Sequence, residues 1–247
     1  MQAGCYKKVA GPRSLRLRGV LTVVAALLFA TGAANFAAPA RAALTLPAWL
    51  GDHMVVQAGQ PIHLEGSSDQ GGVVTLSAGD ERVTATMTGT RWTATLAARK
   101  ASTEAFSIRI EAGAESVTVQ DVLAGEVLLC AGQSNMDLPV ARMDTAEQEL
   151  ADADRLGGVL RLLDFTACNP GKRAMTPAEL ARLAEGRVYE GRWTVAGRSA
   201  ASTFSAVGWS VARRVQHELG VPVGVVAVRL ICSCIRERRD IRRKSGL

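Results

Sequence analysis

The sequence predicts a two-part α+β chain: an antiparallel β-sandwich over about 43–121, followed by the opening part of an α/β unit over 122–228. Three observations carry this. From Leu44 to Gln120 short β-branched segments alternate with glycine turns, a spacing of about ten residues that suits six or seven antiparallel strands. At Asp121 the texture changes to an apolar run, Val127-Leu128-Leu129-Cys130, that stops at Gly132. Beyond it, strand-like and helix-like segments alternate in a βαβ rhythm.

In the first part, Thr75, Val83, Thr84, Thr86, Thr93, Thr95, Ile108, Ile110 and Val117–Val119 supply the β-branched positions. Gly71-Gly72, Gly79-Asp80, Gly89 and Gly113 mark the turns. Arg82–Met87 alternates polar and apolar residues, the mark of a half-buried strand. Trp92 reads as the plug of the sandwich core. In the second part, 126–130 reads as a parallel-type strand. Asp144–Ala153 patterns as a helix, Leu160–Phe165 as a strand, and Thr176-Pro177 as the capped start of a short helix. Phe204–Leu219 is a strong helix with Phe204, Val207, Trp209, Val211 and Val215 apolar, stopped by Gly220. Val223–Val228 reads as a buried strand.

The formal net charge of +6 suggests nucleic acid until its distribution is examined. Residues 1–42 hold six Lys/Arg and no acid, and 229–247 hold seven Lys/Arg and two acids. Of the chain's 29 basic and 23 acidic residues, that leaves 16 and 21 for 43–228. The body is mildly acidic, so a nucleic-acid function is disfavoured. Lys7, Lys8, Arg13, Arg16 and Arg18 form a basic n-region, Val20–Ala30 an apolar h-region, and Ala40-Arg41-Ala42 a small-x-small cleavage site. The expectation is a signal peptide over 1–42, export to the periplasm or beyond after cleavage near Ala42, and no stable membrane anchor. Cys5 leaves with that peptide. Cys130, Cys168, Cys232 and Cys234 remain, and their spacing favours free thiols over a metal site.

Ser134 stands in the turn that ends the 126–130 strand, within Gly132-Gln133-Ser134-Asn135. A buried strand that stops at glycine and presents a serine is how α/β folds place a nucleophile at the carboxyl edge of a sheet. It is not a Gly-x-Ser-x-Gly elbow, because Met136 replaces the second glycine. The bland alternative is that Ser134 caps a helix.

This block resembles that of the SGNH hydrolases, most closely the sialate O-acetylesterase family. Asp52-His53-Met54-Val55-Val56-Gln57, Gly89-Thr90-Arg91-Trp92 and Leu219–Gly224 resemble further segments of that family. The resemblance implies a flavodoxin-like three-layer α/β domain after the sandwich. It also implies hydrolysis of O-acetyl esters on sialic acid or other sugars, without metal or cofactor. Ser134 is then the nucleophile, with Gln133 and Asn135 contacting substrate and the N–H of Ser134, at the start of a following helix, donating to the oxyanion. The family's later Gly-Gly-Thr, Asn and Asp-x-x-His blocks have no counterpart here. After Val228 the chain becomes Arg-rich, which reads as a frameshift or misplaced stop; a nucleic-acid arm is the competing reading. His53, His63 and His217 each have ordinary structural explanations, so the expectation is a chain inactive or weak as an esterase. The alternative is an exported carbohydrate-binding or interaction module without catalysis.

Overall fold

The computed structural model describes residues 44–69, 72–167, 174–184 and 189–229. The expected signal peptide, the 229–247 tail beyond Arg229, and Cys168, Cys232 and Cys234 lie outside them. Among the described residues no helix is long and apolar enough to cross a membrane.

Nine strands come first: β1 (Leu44–Thr45), β2 (Val55–Gln57), β3 (Ile62–Ser68), β4 (Val74–Ala78), β5 (Glu81–Thr84), β6 (Thr86–Thr88), β7 (Arg91–Leu96), β8 (Ser102–Ala112) and β9 (Glu115–Gly132). After a 3-10 turn at Val140–Arg142 come α1 (Ala146–Leu156), β10 (Leu160–Ala167), α2 (Pro177–Ala184), β11 (Tyr189–Glu190), β12 (Trp193–Val195), α3 (Arg198–Thr203), α4 (Ala206–Leu219) and β13 (Val223–Arg229).

The strands form two sheets. One is four-stranded and antiparallel, in the order β1-β3-β7-β6. The other is mixed and nine-stranded, in the order β11-β10-β13-β9-β8-β4-β5, with β12 also on β10 and β2 also on β9. Strand β9 joins the two halves of the larger sheet. Its first part pairs antiparallel with β8, and Glu126–Gly132 pairs in parallel with Val223–Arg229 of β13. The boundary expected at 121/122 therefore falls within a strand.

The sequence pattern over Arg82–Met87 reads as one strand, yet the structure makes two. At Ala85 the chain leaves β5 in the larger sheet and enters β6 in the smaller. The buried Ala85 donates its N–H to Val74 O at the crossing. A corner costs nothing in alternation, which is why periodicity alone does not reveal it.

Two apolar clusters result. The first lies between the sheets around Trp92, Leu76, Leu96, Ile108 and Ile110. Trp92 is fully buried, and Gly66 pairs with it across β3 and β7. The second lies between the parallel strands and the helices, around Leu160, Leu162, Val223, Val225, Phe204 and Trp209. Helix α4 starts at Ser205, whose hydroxyl accepts the N–H of Gly208, and ends at Gly220 with φ of 67°. Its buried face is Ala206, Gly208, Trp209 and Ala212, whereas Val207 and Val211 face outward. Small residues win that face because the helix lies close on β13: a Cβ on Gly208 would already meet Phe204 and Val225. Trp209 Nε1 donates to the buried carboxylate of Glu149, 2.8 Å away, which Arg213 also pairs. Helix α2 opens with the expected threonine cap: Thr176 and Glu179 exchange hydrogen bonds as a capping box.

Candidate active site

Three parallel strands, β10, β13 and β9, run in register toward one edge. That edge is the carboxyl end where α/β sheets place ligands. Strand β9 ends there at Gly132, whose missing Cβ leaves room for Met136: a Cβ would stand 2.9 Å from the Met136 Cγ. The chain then turns tightly, with Met136 N–H donating to Gln133 O and Asp137 N–H to Ser134 O. Met136 is buried as the anchor of the turn, and Ser205 Oγ lies 3.5 Å from its sulfur. Ala206 N–H donates to Leu138 O, and Val140 N–H to Phe204 O. The loop is thus fastened to the start of α4, while Gln133, Ser134 and Asn135 stay exposed.

The expected helix directly after Ser134 is absent. Pro139 disfavours the helical conformation for Leu138, and the segment instead forms successive i→i+3 turns and bridges to Ser205. The N–H groups of Ser134 and Asn135 nonetheless precede the first one donated within the turn, as at a helix N-terminus. Neither is a donor in the backbone bonds that close the turn.

Beside this turn the structure brings together residues that sequence reasoning missed. Arg229, the last residue of β13, pairs with Asp164 of β10 and donates to Thr203 O. Burial pushes the Asp164 carboxyl above its ordinary value against the pull of Arg229, and the nearby charge of Asp137 adds to the rise. Asp164 Oδ1 and Arg229 Nε are buried without a hydrogen-bond partner among the described residues. The available signal was an acid inside the apolar run Leu160–Phe165. Cys130 is a half-buried free thiol on β9, and burial pushes its pKa up.

The three histidines lie elsewhere. His53 Nδ1 is 2.7 Å from Asp121 Oδ2. Asp121 precedes Gly132 by eleven residues of extended strand, about 36 Å at 3.3 Å per residue. His63 bonds to Thr95 within the sandwich. His217 follows Ala206 by eleven helical residues, about 17 Å along the axis. A cleft of about 470 Å³ is lined by His53 and Arg192, not by Ser134. Among the described residues there is no cluster suited to a metal ion.

No family model and no curated protein matches the sequence. Among solved structures the chain is similar to a carbohydrate acetylesterase from Xanthomonas citri, at 27% identity and a TM-score of 0.62, over 76% of this chain and 40% of that one. A second similarity, to the titin domains z1z2 in complex with telethonin, has a TM-score of 0.24 at 14% identity, over 38% of this chain and 58% of that one, and carries no argument. The chain therefore spans 40% of the length of that acetylesterase.

Proposed function

We propose that this chain carries the nucleophile-bearing part of an exported carbohydrate O-acetylesterase of the SGNH, sialate O-acetylesterase type. One observation carries the reading. Ser134 is exposed in a tight turn at the carboxyl edge of three parallel strands, in a chain similar to a carbohydrate acetylesterase. In this reading Ser134 Oγ attacks the acetyl carbonyl and the sugar hydroxyl leaves. The N–H groups of Ser134 and Asn135 take the developing oxyanion, and water then releases acetate from the acyl-serine. Gln133 and Asn135 contact the sugar from the same turn.

His53, His63 and His217 do not supply a general base to Ser134. Without one in hydrogen-bond reach, a serine hydroxyl stays protonated and is a weak nucleophile. We therefore expect slow hydrolysis from the chain by itself. Acetate release from an aryl acetate is the test, with Ser134→Ala as the control. A slow rate that disappears in Ser134→Ala supports the proposal. A rate that Ser134→Ala leaves unchanged, or rapid turnover that survives it, sinks the assignment of Ser134.

The placement of all three histidines away from Ser134 favours a second reading, a glycan-binding module that has no catalysis. Binding of O-acetylated glycans that Ser134→Ala leaves intact, with no acetate released, would select it.

A further inference from the structure

At the far end of β9 from Ser134 the ladder is irregular. Ile108 of β8 faces Val119, but Phe106 faces Val122, so two steps on β8 match three on β9. The bulge re-aims Asp121, which has a φ of 52°. Its partner His53 has a φ of 67°, and these are the two left-handed residues other than glycine among the described residues. Two strained residues bonded to each other require surroundings that over-determine them, and such places cluster at ligand sites. The surroundings are visible: His53 N–H donates to Gln120 O, Gln120 N–H to Asp52 Oδ1, and Leu123 N–H to Met54 O.

The side chains form a chain of charge. Arg161, buried on β10, places Nη2 within 3.3 Å and 3.1 Å of the two Asp121 oxygens. Asp121 Oδ2 in turn lies 2.7 Å from His53 Nδ1. The imidazole is 42% exposed. With Nδ1 engaged, Nε2 is the ring nitrogen left for the cleft of about 470 Å³ that His53 lines, a volume typical of small-molecule sites. Arg192 lines the same cleft, is exposed, and has no ion-pair partner among the described residues. The charged groups lining the cleft, with those bonded to His53, are Asp52, Asp121, Arg161, Arg192 and His53. When His53 is protonated, three cations face two carboxylates, and one positive charge is uncompensated.

We propose that this cleft is a second site, separate from Ser134, for the oxyanion of a small ligand, a carboxylate or a phosphate group held between His53 Nε2 and the Arg192 guanidinium. The Asp121 carboxylate, itself anchored by Arg161, holds the imidazole in place. A protonated ring adds a positive charge facing the anion that a neutral ring lacks, so binding strengthens when His53 is protonated.

The test is a titration of the full chain with inorganic phosphate and, separately, with sodium acetate at constant ionic strength. The ring signals of its three histidines are followed by NMR at pH 5.5 and pH 8. Saturable movement of the His53 signals, stronger at pH 5.5 and beyond that of His63 and His217, is the expected result. Response to phosphate alone, to acetate alone or to both identifies the class of oxyanion. Arg192→Ala should weaken binding about tenfold or more, the loss of one charge-assisted hydrogen bond, without changing Tm. Ser134→Ala should bind as the parent does. If His53 moves no more than His63 and His217, or if Arg192→Ala binds like the parent, the proposal fails.

Discussion

Replacing Asp121 removes a partner from a buried guanidinium and a tolerant residue from a left-handed position, and the choice of replacement separates the two effects. Arg161 is 4% exposed, and its Nη2 pairs with both Asp121 oxygens, whereas Nη1 bonds to the carbonyl of Gly157. Removing one partner of a buried pair costs about 3–5 kcal/mol. Asp121 is itself one-third exposed, so water screens part of the interaction and about 2–3 kcal/mol is the better expectation. At a φ of 52° alanine adds about 1 kcal/mol over glycine, whereas Asn tolerates the conformation as Asp does. The expected order of destabilisation is Asp121→Asn at about 1 kcal/mol, Asp121→Gly at about 2–3 kcal/mol and Asp121→Ala at about 3–4 kcal/mol. Urea unfolding, followed by tryptophan fluorescence, measures all three. If alanine costs no more than glycine, the strain argument is wrong. If all three cost under about 0.5 kcal/mol, Asp121 does not hold Arg161 and the account of the pair collapses.

Gly66→Ala should destabilise by about 1–3 kcal/mol through overpacking, because its Cβ would stand 2.5 Å from the Trp92 ring and 2.7 Å from the Thr45 carbonyl oxygen; a thermal melt indistinguishable from the parent would refute this. Asp164 titrates higher folded than unfolded because it is buried. Its protonated form is therefore the one that folding favours, and stability falls as pH rises from the ordinary aspartate value through the raised one. Asp164→Asn should abolish that fall, a change read by comparing unfolding midpoints across the acid range; an unchanged profile would assign the slope to other groups. Arg229→Ala removes the pull that opposes burial at Asp164, and should move the midpoint of that titration further up, as carboxyl NMR shifts would report.

Local features were legible where the cause is local. The threonine cap at Thr176, the left-handed stop at Gly220 and the burial of Trp92 follow from residue type and its immediate neighbours. The mixed α+β character followed from the change of period near Asp121. The exposed turn at Ser134 was readable because an apolar strand that meets glycine has to turn out of the sheet. Which face of α4 is buried was only partly readable: Val207 and Val211 are as apolar as any core residue, yet the helix turns Gly208 and Ala212 inward, where a close approach to β13 demands small side chains.

Tertiary structure alone decided the rest. Alternation says that a segment is a strand but not which sheet owns it, so the crossing at Ala85 and the passage of β9 through both halves of the larger sheet were invisible. Asp164 and Arg229 are 65 residues apart, and His53 and Asp121 are 68 apart. Such pairs meet because strand register places them side by side, and register is a property of the whole sheet. The sequence determined which residues have chemistry to offer; the fold determined which of them meet.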